Sequence, residues 1–199
     1  MPSGAKVFIR TAGHNGYAEV GRTPITLCDV EPGLLEYTLL RNDCQLYDGS
    51  LWVEPGKEHI ERVRMKPGRV FFVDQKHPKA SDANPGTEAA PWKTINKRSK
   101  NLCPGDTVLV KEGKYVEADP TDEKASIGCE SGTMGVLVVR SGEPGRPITF
   151  RAYPGHEVKV EAIRVPFVFR GTRHCDLGIH AGASNLRDIW RGLRCSTRV

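Results

Sequence analysis

The feature that most constrains this chain is a rhythm: short β-prone runs, each closed by a turn rich in Gly or Pro, recur from Ala5 to Phe169. Such runs at intervals of about ten residues are the pattern of an all-β protein, because Gly and Pro supply the backbone angles of tight turns and interrupt longer elements. In the first third the runs are Ala5–Arg10, Tyr17–Val20, Thr23–Leu27, Leu35–Leu39, Leu51–Val53 and His59–Met65. Turns separate them at Gly13-His14-Asn15-Gly16, Glu31-Pro32-Gly33, Pro55-Gly56 and Lys66-Pro67-Gly68. Alternation of apolar and polar residues in Leu35–Leu39 predicts a half-buried strand, and the set predicts a small β-sandwich over residues 1–67.

A boundary falls at Lys66-Pro67-Gly68-Arg69. Beyond it Val70–Val73 is a compact buried strand, followed by a polar loop from Asp74 to Thr87. Pro91 suits a first helical turn, and Trp92, Ile95 and Leu102 can share one face, so a short helix is predicted from Pro91 to Leu102. Strands are then expected at Thr107–Val110, Gly135–Val139, Ile148–Ala152, Val158–Val160 and Phe167–Phe169. The polar stretch Glu117–Thr133 forms a long loop between the first two. Brief strands at short intervals fit a solenoid whose coils stack on one another. The tail from residue 176 departs from this pattern. Leu186, Ile189, Trp190 and Leu193 fall at helical spacing there, although Gly192 weakens a helix.

Charge excludes one class of partner. The net charge of +5 is concentrated at the end of the chain, where six arginines and two aspartates from Arg170 onward give +4. The remaining residues carry 23 basic and 22 acidic side chains, so no basic stripe runs through the body to track nucleic-acid phosphates. No run approaches the roughly 18 apolar residues of a membrane span. The N-terminal Met1-Pro2-Ser3-Gly4-Ala5 lacks the basic and apolar regions of a signal peptide. Six cysteines without any CxxC pair argue against a structural zinc and specify no disulfide pattern.

The first segment, about residues 2–66, resembles the PEGA domain, a small extracytoplasmic β-sandwich module. Pro2-Ser3-Gly4-Ala5 stands at its naming motif, Gly21-Arg22-Thr23-Pro24-Ile25 at its Gly-x-Thr-Pro turn, and Val30-Glu31-Pro32-Gly33 at its Pro-Gly turn. The family has a strand before the naming motif, and this sequence starts at the motif. Residues from about 69 to 170 resemble the start of pectate-lyase-like right-handed parallel β-helix proteins. The motifs that carry this likeness are Phe71-Phe72-Val73-Asp74, Ser81-Asp82-Ala83-Asn84-Pro85-Gly86-Thr87, Pro91-Trp92-Lys93-Thr94-Ile95, Pro104-Gly105-Asp106-Thr107-Val108, Gly113-Lys114-Tyr115 and Pro147-Ile148-Thr149-Phe150 through Pro154-Gly155.

These resemblances imply an all-β chain: a small β-sandwich (1–67), then a truncated right-handed parallel β-helix with a short N-terminal cap helix (69–175), then an atypical basic tail (176–199). They imply an extracytoplasmic or secreted location and a polysaccharide partner. Many proteins of the second group are polysaccharide lyases, which remove the proton beside a uronate carboxylate with a Lys or Arg base, often with calcium. No motif here matches their catalytic residues, so no catalytic residue is assigned. The expected function is the N-terminal part of an exported polysaccharide-associated protein, itself non-catalytic. The alternatives are a lyase or related glycan-active enzyme whose catalytic coils are missing from this sequence, and a surface or adhesion scaffold.

Individual candidates follow from residue chemistry. Asp74, Asp82 and Asn84 place oxygen ligands in one loop and can hold a calcium ion; the same composition also serves to cap turns. Glu117, Asp119, Asp122 and Glu123 form an acidic loop that can bind a cation or simply be solvated. Lys111 and Lys114 flank a coil turn as solvated lysines. Trp52 and Trp92 have rings able to stack on sugars, with Trp92 expected in the core of the cap. His14, His59, His174 and His180 lack a partner that suggests chemistry.

Overall fold

The computed structural model describes residues 3–14, 16–96, 101–116, 134–138, 140–161, 165–169 and 175–178. The chain is all-β, and no α-helix occurs among the described residues. Four strands, β1 (Lys6–Thr11), β2 (Ala18–Arg22), β3 (Gly33–Leu40) and β4 (Tyr47–Val53), form one antiparallel sheet in the order β2-β1-β3-β4. Because side chains alternate along a strand, this sheet has two distinct faces. Val7, Tyr37 and Leu39 are buried on one face with Ile9 and Leu51, and Val63 and Met65 pack against them.

Two runs expected as strands lie outside any ladder. Val63 and Met65 alternate with exposed Arg62 and Arg64, which gives His59–Met65 a strand-like pattern. Alternation requires only that one side face a core, and this segment covers the sheet without pairing. Thr23–Leu27 is likewise no strand, since Pro24 has no N–H to give a ladder. Thr23 instead ties back to the start of the chain. Its N–H donates to Ala5 O (2.8 Å), its carbonyl accepts from Gly4 N (2.7 Å), and its hydroxyl accepts from Ala5 N (3.1 Å).

The second half is parallel throughout. Its strands are β5 (Val70–Val73), β6 (Thr107–Val110), β7 (Gly113–Val116), β8 (Met134–Val138), β9 (Ile148–Ala152), β10 (Val158–Glu161), β11 (Val165–Phe169) and β12 (Cys175–Gly178). They make three parallel sheets: β12-β9-β6-β5, β10-β7 and β11-β8. The succession β6-β7-β8 is therefore one coil and β9-β10-β11 the next, stacked strand on strand as in a parallel β-helix. Thr107 pairs with Thr149, Lys114 with Lys159, and Val136 with Phe167. Val73, Val108, Val110, Tyr115, Val136, Ile148, Phe150 and Val158 fill the interior of the coils. The strand β12 crosses the boundary expected at residue 175, and the coil pattern continues to Gly178.

The predicted cap helix is corrected in part. Trp92, Ile95 and Leu102 are buried against the coil interior, as their shared apolar character requires. Trp92, however, bridges Val73 in parallel, donating its N–H to Phe72 O and accepting from Asp74 N, both at 2.9 Å. Trp92 alone is thus bridged to β5, and residues 93–95 turn away as bend and coil. Asn96 and Asn101 have 3₁₀ geometry, and residues 97–100 lie outside the described residues. The predicted tail helix, the acidic loop Glu117–Glu123, His174 and His180 also lie outside them.

The outward face of the first parallel sheet docks on the second face of the antiparallel sheet. Val70, Phe72 and Leu109 meet Phe8 and Leu40 in one core with Tyr153. This explains why β6 is buried at all four positions: one side faces the coil interior and the other faces the antiparallel sheet. The segment that joins the two halves is itself hydrogen-bonded across the junction. Gln45 N donates to Lys66 O, Gly68 N to Asp43 O, and Val70 N to Asn42 O. Gly68 is required there, since a Cβ would stand 2.4 Å from Gly105 O and 2.7 Å from the Gln45 side chain.

Candidate functional site

Titratable side chains gather where the two halves meet. Lys6 leaves β1 toward the loop after Gly86, and its ammonium donates to both oxygens of Glu88 (3.1 and 3.2 Å) and to Tyr153 Oη (3.3 Å). Lys111, just past β6, approaches Glu88 at 3.8 Å and Asp74 at 3.7 Å. Both ammoniums lie over the Tyr153 ring, 5.8 and 5.6 Å from its centroid. Phe8 and His156 each meet that ring edge-on. Burial of Lys6 works to lower its pKa, but the hydrogen bonds to Glu88 and Tyr153 more than offset this and raise it. Burial raises the Tyr153 phenol above its ordinary value.

These groups can hold charge in place but are poorly disposed for proton transfer to a substrate. Tyr153 is only 7% exposed, and its hydroxyl is already an acceptor for Lys6. The cluster works as a lock between the sheets. A second cross-junction pair, Arg151 with Asp48, joins β9 to β4.

Beside this lock lies an open cleft of roughly 320 Å³, lined by Gly4, Lys6, Arg22, Leu40, Arg41, Asn42, Asp43 and Glu88. Arg22 ends β2 one residue before Thr23, so the ties from Thr23 to Gly4 and Ala5 fix where it stands. Its Nη1 donates to Gly4 O at 3.0 Å. Arg41 grips Asp43 with two contacts, Nε to Oδ1 at 2.6 Å and Nη2 to Oδ2 at 2.7 Å. The hydrogen bond from Arg41 is the largest cause holding the Asp43 carboxyl below its ordinary pKa.

The calcium candidates are placed as follows. Asp82 accepts at Oδ1 from Lys93 N and Thr94 N (3.1 and 2.8 Å) and at Oδ2 from Thr94 Oγ1 (3.1 Å), closing the turn that starts the cap segment. Asn84 donates through Nδ2 to Lys79 O and Pro91 O, and its backbone carbonyl accepts from Trp92 Nε1. Asp74 accepts from Lys76 N and faces Lys111. Among the described residues no group of three His, Cys, Asp or Glu side chains has a metal-holding arrangement. Trp92 stacks on Phe71, with ring centroids 4.7 Å apart. Trp52 is 65% exposed, cross-strand from the exposed Leu34. His14 bonds Thr11 Oγ1, and His59 accepts from Glu54 N.

Sequence reasoning singled out neither Glu88 nor Tyr153, nor Lys6, Arg41 and Asn42. Only the Gly21-Arg22-Thr23-Pro24 turn pointed near the cleft, and it did so as a turn.

No family model matches the chain. Over 83 residues it is 32% identical to the uncharacterized protein YwoF of Bacillus subtilis (strain 168), a stretch that is 42% of this chain and 14% of that protein. Among solved structures, a rhamnogalacturonan lyase is similar with a TM-score of 0.35 at 25% identity, covering 54% of this chain and 28% of the lyase. The chain thus spans a small part of the length of each. Among the described residues, no helix is long and apolar enough to cross a membrane.

Proposed function

We propose that this chain builds the opening coils of an exported, polysaccharide-associated β-helix protein and serves there as a non-catalytic binding and capping module. The observation that carries the reading is the coil order. Two in-register coils, β6-β7-β8 and β9-β10-β11, are capped at β5 and locked sideways to an antiparallel sheet. The motif resemblance to pectate-lyase-like proteins adds the polysaccharide. The acid–base groups of the junction support a structural role, since Lys6, Glu88 and Tyr153 are engaged with one another.

Affinity electrophoresis of the purified chain in gels containing pectin, alginate or chondroitin sulfate tests the reading. Reproducible retardation by at least one of them is expected, and unaltered mobility in all of them contradicts it.

A further inference from the structure

Resting on that reading, we infer that the junction cleft lined by Arg22, Asn42, Asp43 and Glu88 is a subsite for a carboxylate-bearing sugar residue. Three cations (Lys6, Arg22 and Arg41) and two carboxylates (Asp43 and Glu88) line the cleft. Lys6 is matched by Glu88, and Arg41 by Asp43 in a two-pronged pair. Arg22 remains. Its guanidinium bonds one backbone carbonyl, Gly4 O, and has no carboxylate within ion-pair distance among the described residues. A guanidinium offers five N–H donors in a fork that fits a carboxylate, so one bond to a carbonyl leaves most of its capacity open.

The remaining lining suits sugar hydroxyls. Asn42 spends its backbone carbonyl on Val70 N, while its exposed side-chain amide offers both a donor and an acceptor to the cleft. The outer lone pairs of the Asp43 and Glu88 carboxylates accept hydroxyl protons, and because each carboxylate is neutralised by its cation, neither repels an acidic ring strongly. Leu40 supplies an apolar patch for a sugar face. The volume lies at the lower end of the ~300–1,000 Å³ range of small-molecule sites.

The position is also built rather than incidental. Arg22 is placed by the three hydrogen bonds of Thr23 to Gly4 and Ala5. Asn42 and Asp43 are placed by the backbone bonds of the linking segment, Val70 N to Asn42 O and Gly68 N to Asp43 O. The same contacts that join the two halves therefore shape the cleft, and a sugar seated there touches both.

Calorimetric titration of the full chain with a galacturonate disaccharide, and with the matching neutral galactose disaccharide, tests the proposal. The acidic sugar is expected to bind at least about tenfold more tightly than the neutral one, and its affinity to fall as salt screens Arg22. Arg22→Gln is expected to weaken acidic binding by about tenfold or more, and Arg22→Lys to recover part of it. Asn42→Asp, which puts a new negative charge in the cleft while leaving the backbone bond to Val70 intact, is expected to weaken it similarly. Equal binding of the two sugars, or parental affinity in Arg22→Gln and Asn42→Asp with unchanged thermal midpoints, overturns the subsite. If those variants are still retarded like the parent in acidic polysaccharide gels, the cleft assignment fails while the broader reading stands. If the parent is retarded by no polysaccharide, both fail.

Discussion

Arg69 and Asp106 form a two-pronged ion pair, Nε to Oδ1 at 2.9 Å and Nη2 to Oδ2 at 2.6 Å, that ties the start of β5 to the turn before β6. The two ends differ in environment: the Asp106 side chain is 3% exposed and the Arg69 side chain 55%. Asp106 Oδ2 also accepts from Cys103 N at 2.7 Å. One carboxylate therefore holds the turn before β6 and ties it to the start of β5, the strand that pairs with β6. The hydrogen bonds that Arg69 donates to Asp106 are the largest cause raising the guanidinium pKa above its ordinary value, partly opposed by burial.

Asp106→Ala removes the acceptor from both Arg69 and the Cys103 N–H. We expect a loss of about 2–3 kcal/mol in stability, read from the midpoint of urea unfolding. Arg69→Ala should also destabilise, because it leaves a buried carboxylate with only the Cys103 N–H.

Phe8 belongs to the antiparallel sheet but packs with Val70, Phe72, Leu109 and Tyr153 of the parallel half. Phe8→Ala is expected to cost about 3–5 kcal/mol. Since the core is shared, the parent should melt in a single transition by calorimetry and by Trp fluorescence. Two separated transitions in the parent would mean that the halves fold independently and that the junction is weak.

The strands were legible where burial is continuous. Val70–Val73 and Thr107–Val110 are largely apolar runs because β5 and β6 are covered on both faces, whereas Ile148–Ala152 alternates, with Ile148 and Phe150 in the coil interior and Thr149 and Arg151 only partly buried. The strand β7 was not legible as a strand from its own pattern, although Gly113-Lys114-Tyr115 belongs to the β-helix resemblance: only Tyr115 is buried in Gly113-Lys114-Tyr115-Val116, and the strand exists because β10 stacks on it. The segment Trp92–Ile95 misled for the opposite reason. Its apolar residues are buried as a helix face would be, but the parallel bridge to Val73 decides its conformation. The junction cluster was invisible because Lys6, Glu88, Lys111 and Tyr153 are far apart in sequence, and none belongs to a motif that announces the contact. The all-β class and the coil stacking followed from the sequence; the cleft did not.

Gly86 has φ +85°, and a Cβ there would lie 2.5 Å from the Trp92 indole. Its carbonyl accepts from Phe72 N and its N–H donates to Ala90 O. Gly86→Ala is expected to cost about 2–3 kcal/mol through the combined backbone and packing strain, with an altered Trp emission spectrum. An unchanged spectrum and midpoint would mean that the loop shifts freely.

His156 accepts from Glu112 N through Nδ1 at 3.0 Å, a role only the neutral ring can fill. Burial lowers its pKa, partly opposed by the Glu112 charge. The folded state therefore takes up a proton less readily than the unfolded chain, so this contribution is present above the ordinary value of 6.5 and is lost as pH falls below it toward the depressed folded value. The urea midpoint of the parent should decline over that acidic window. His156→Asn, whose amide oxygen can replace the acceptor, should show a shallower decline. An identical pH profile in the two proteins would remove His156 from the account.

The central claim is binding without cleavage. The most direct measurement is size-exclusion chromatography with light scattering of the purified chain after incubation with polygalacturonate, with ultraviolet absorbance recording any unsaturated uronate ends. The predicted result is co-elution of the chain with a polymer of undiminished mass and no new absorbance. Elution of the chain apart from the polymer, or a shortened polymer bearing unsaturated ends, would contradict it.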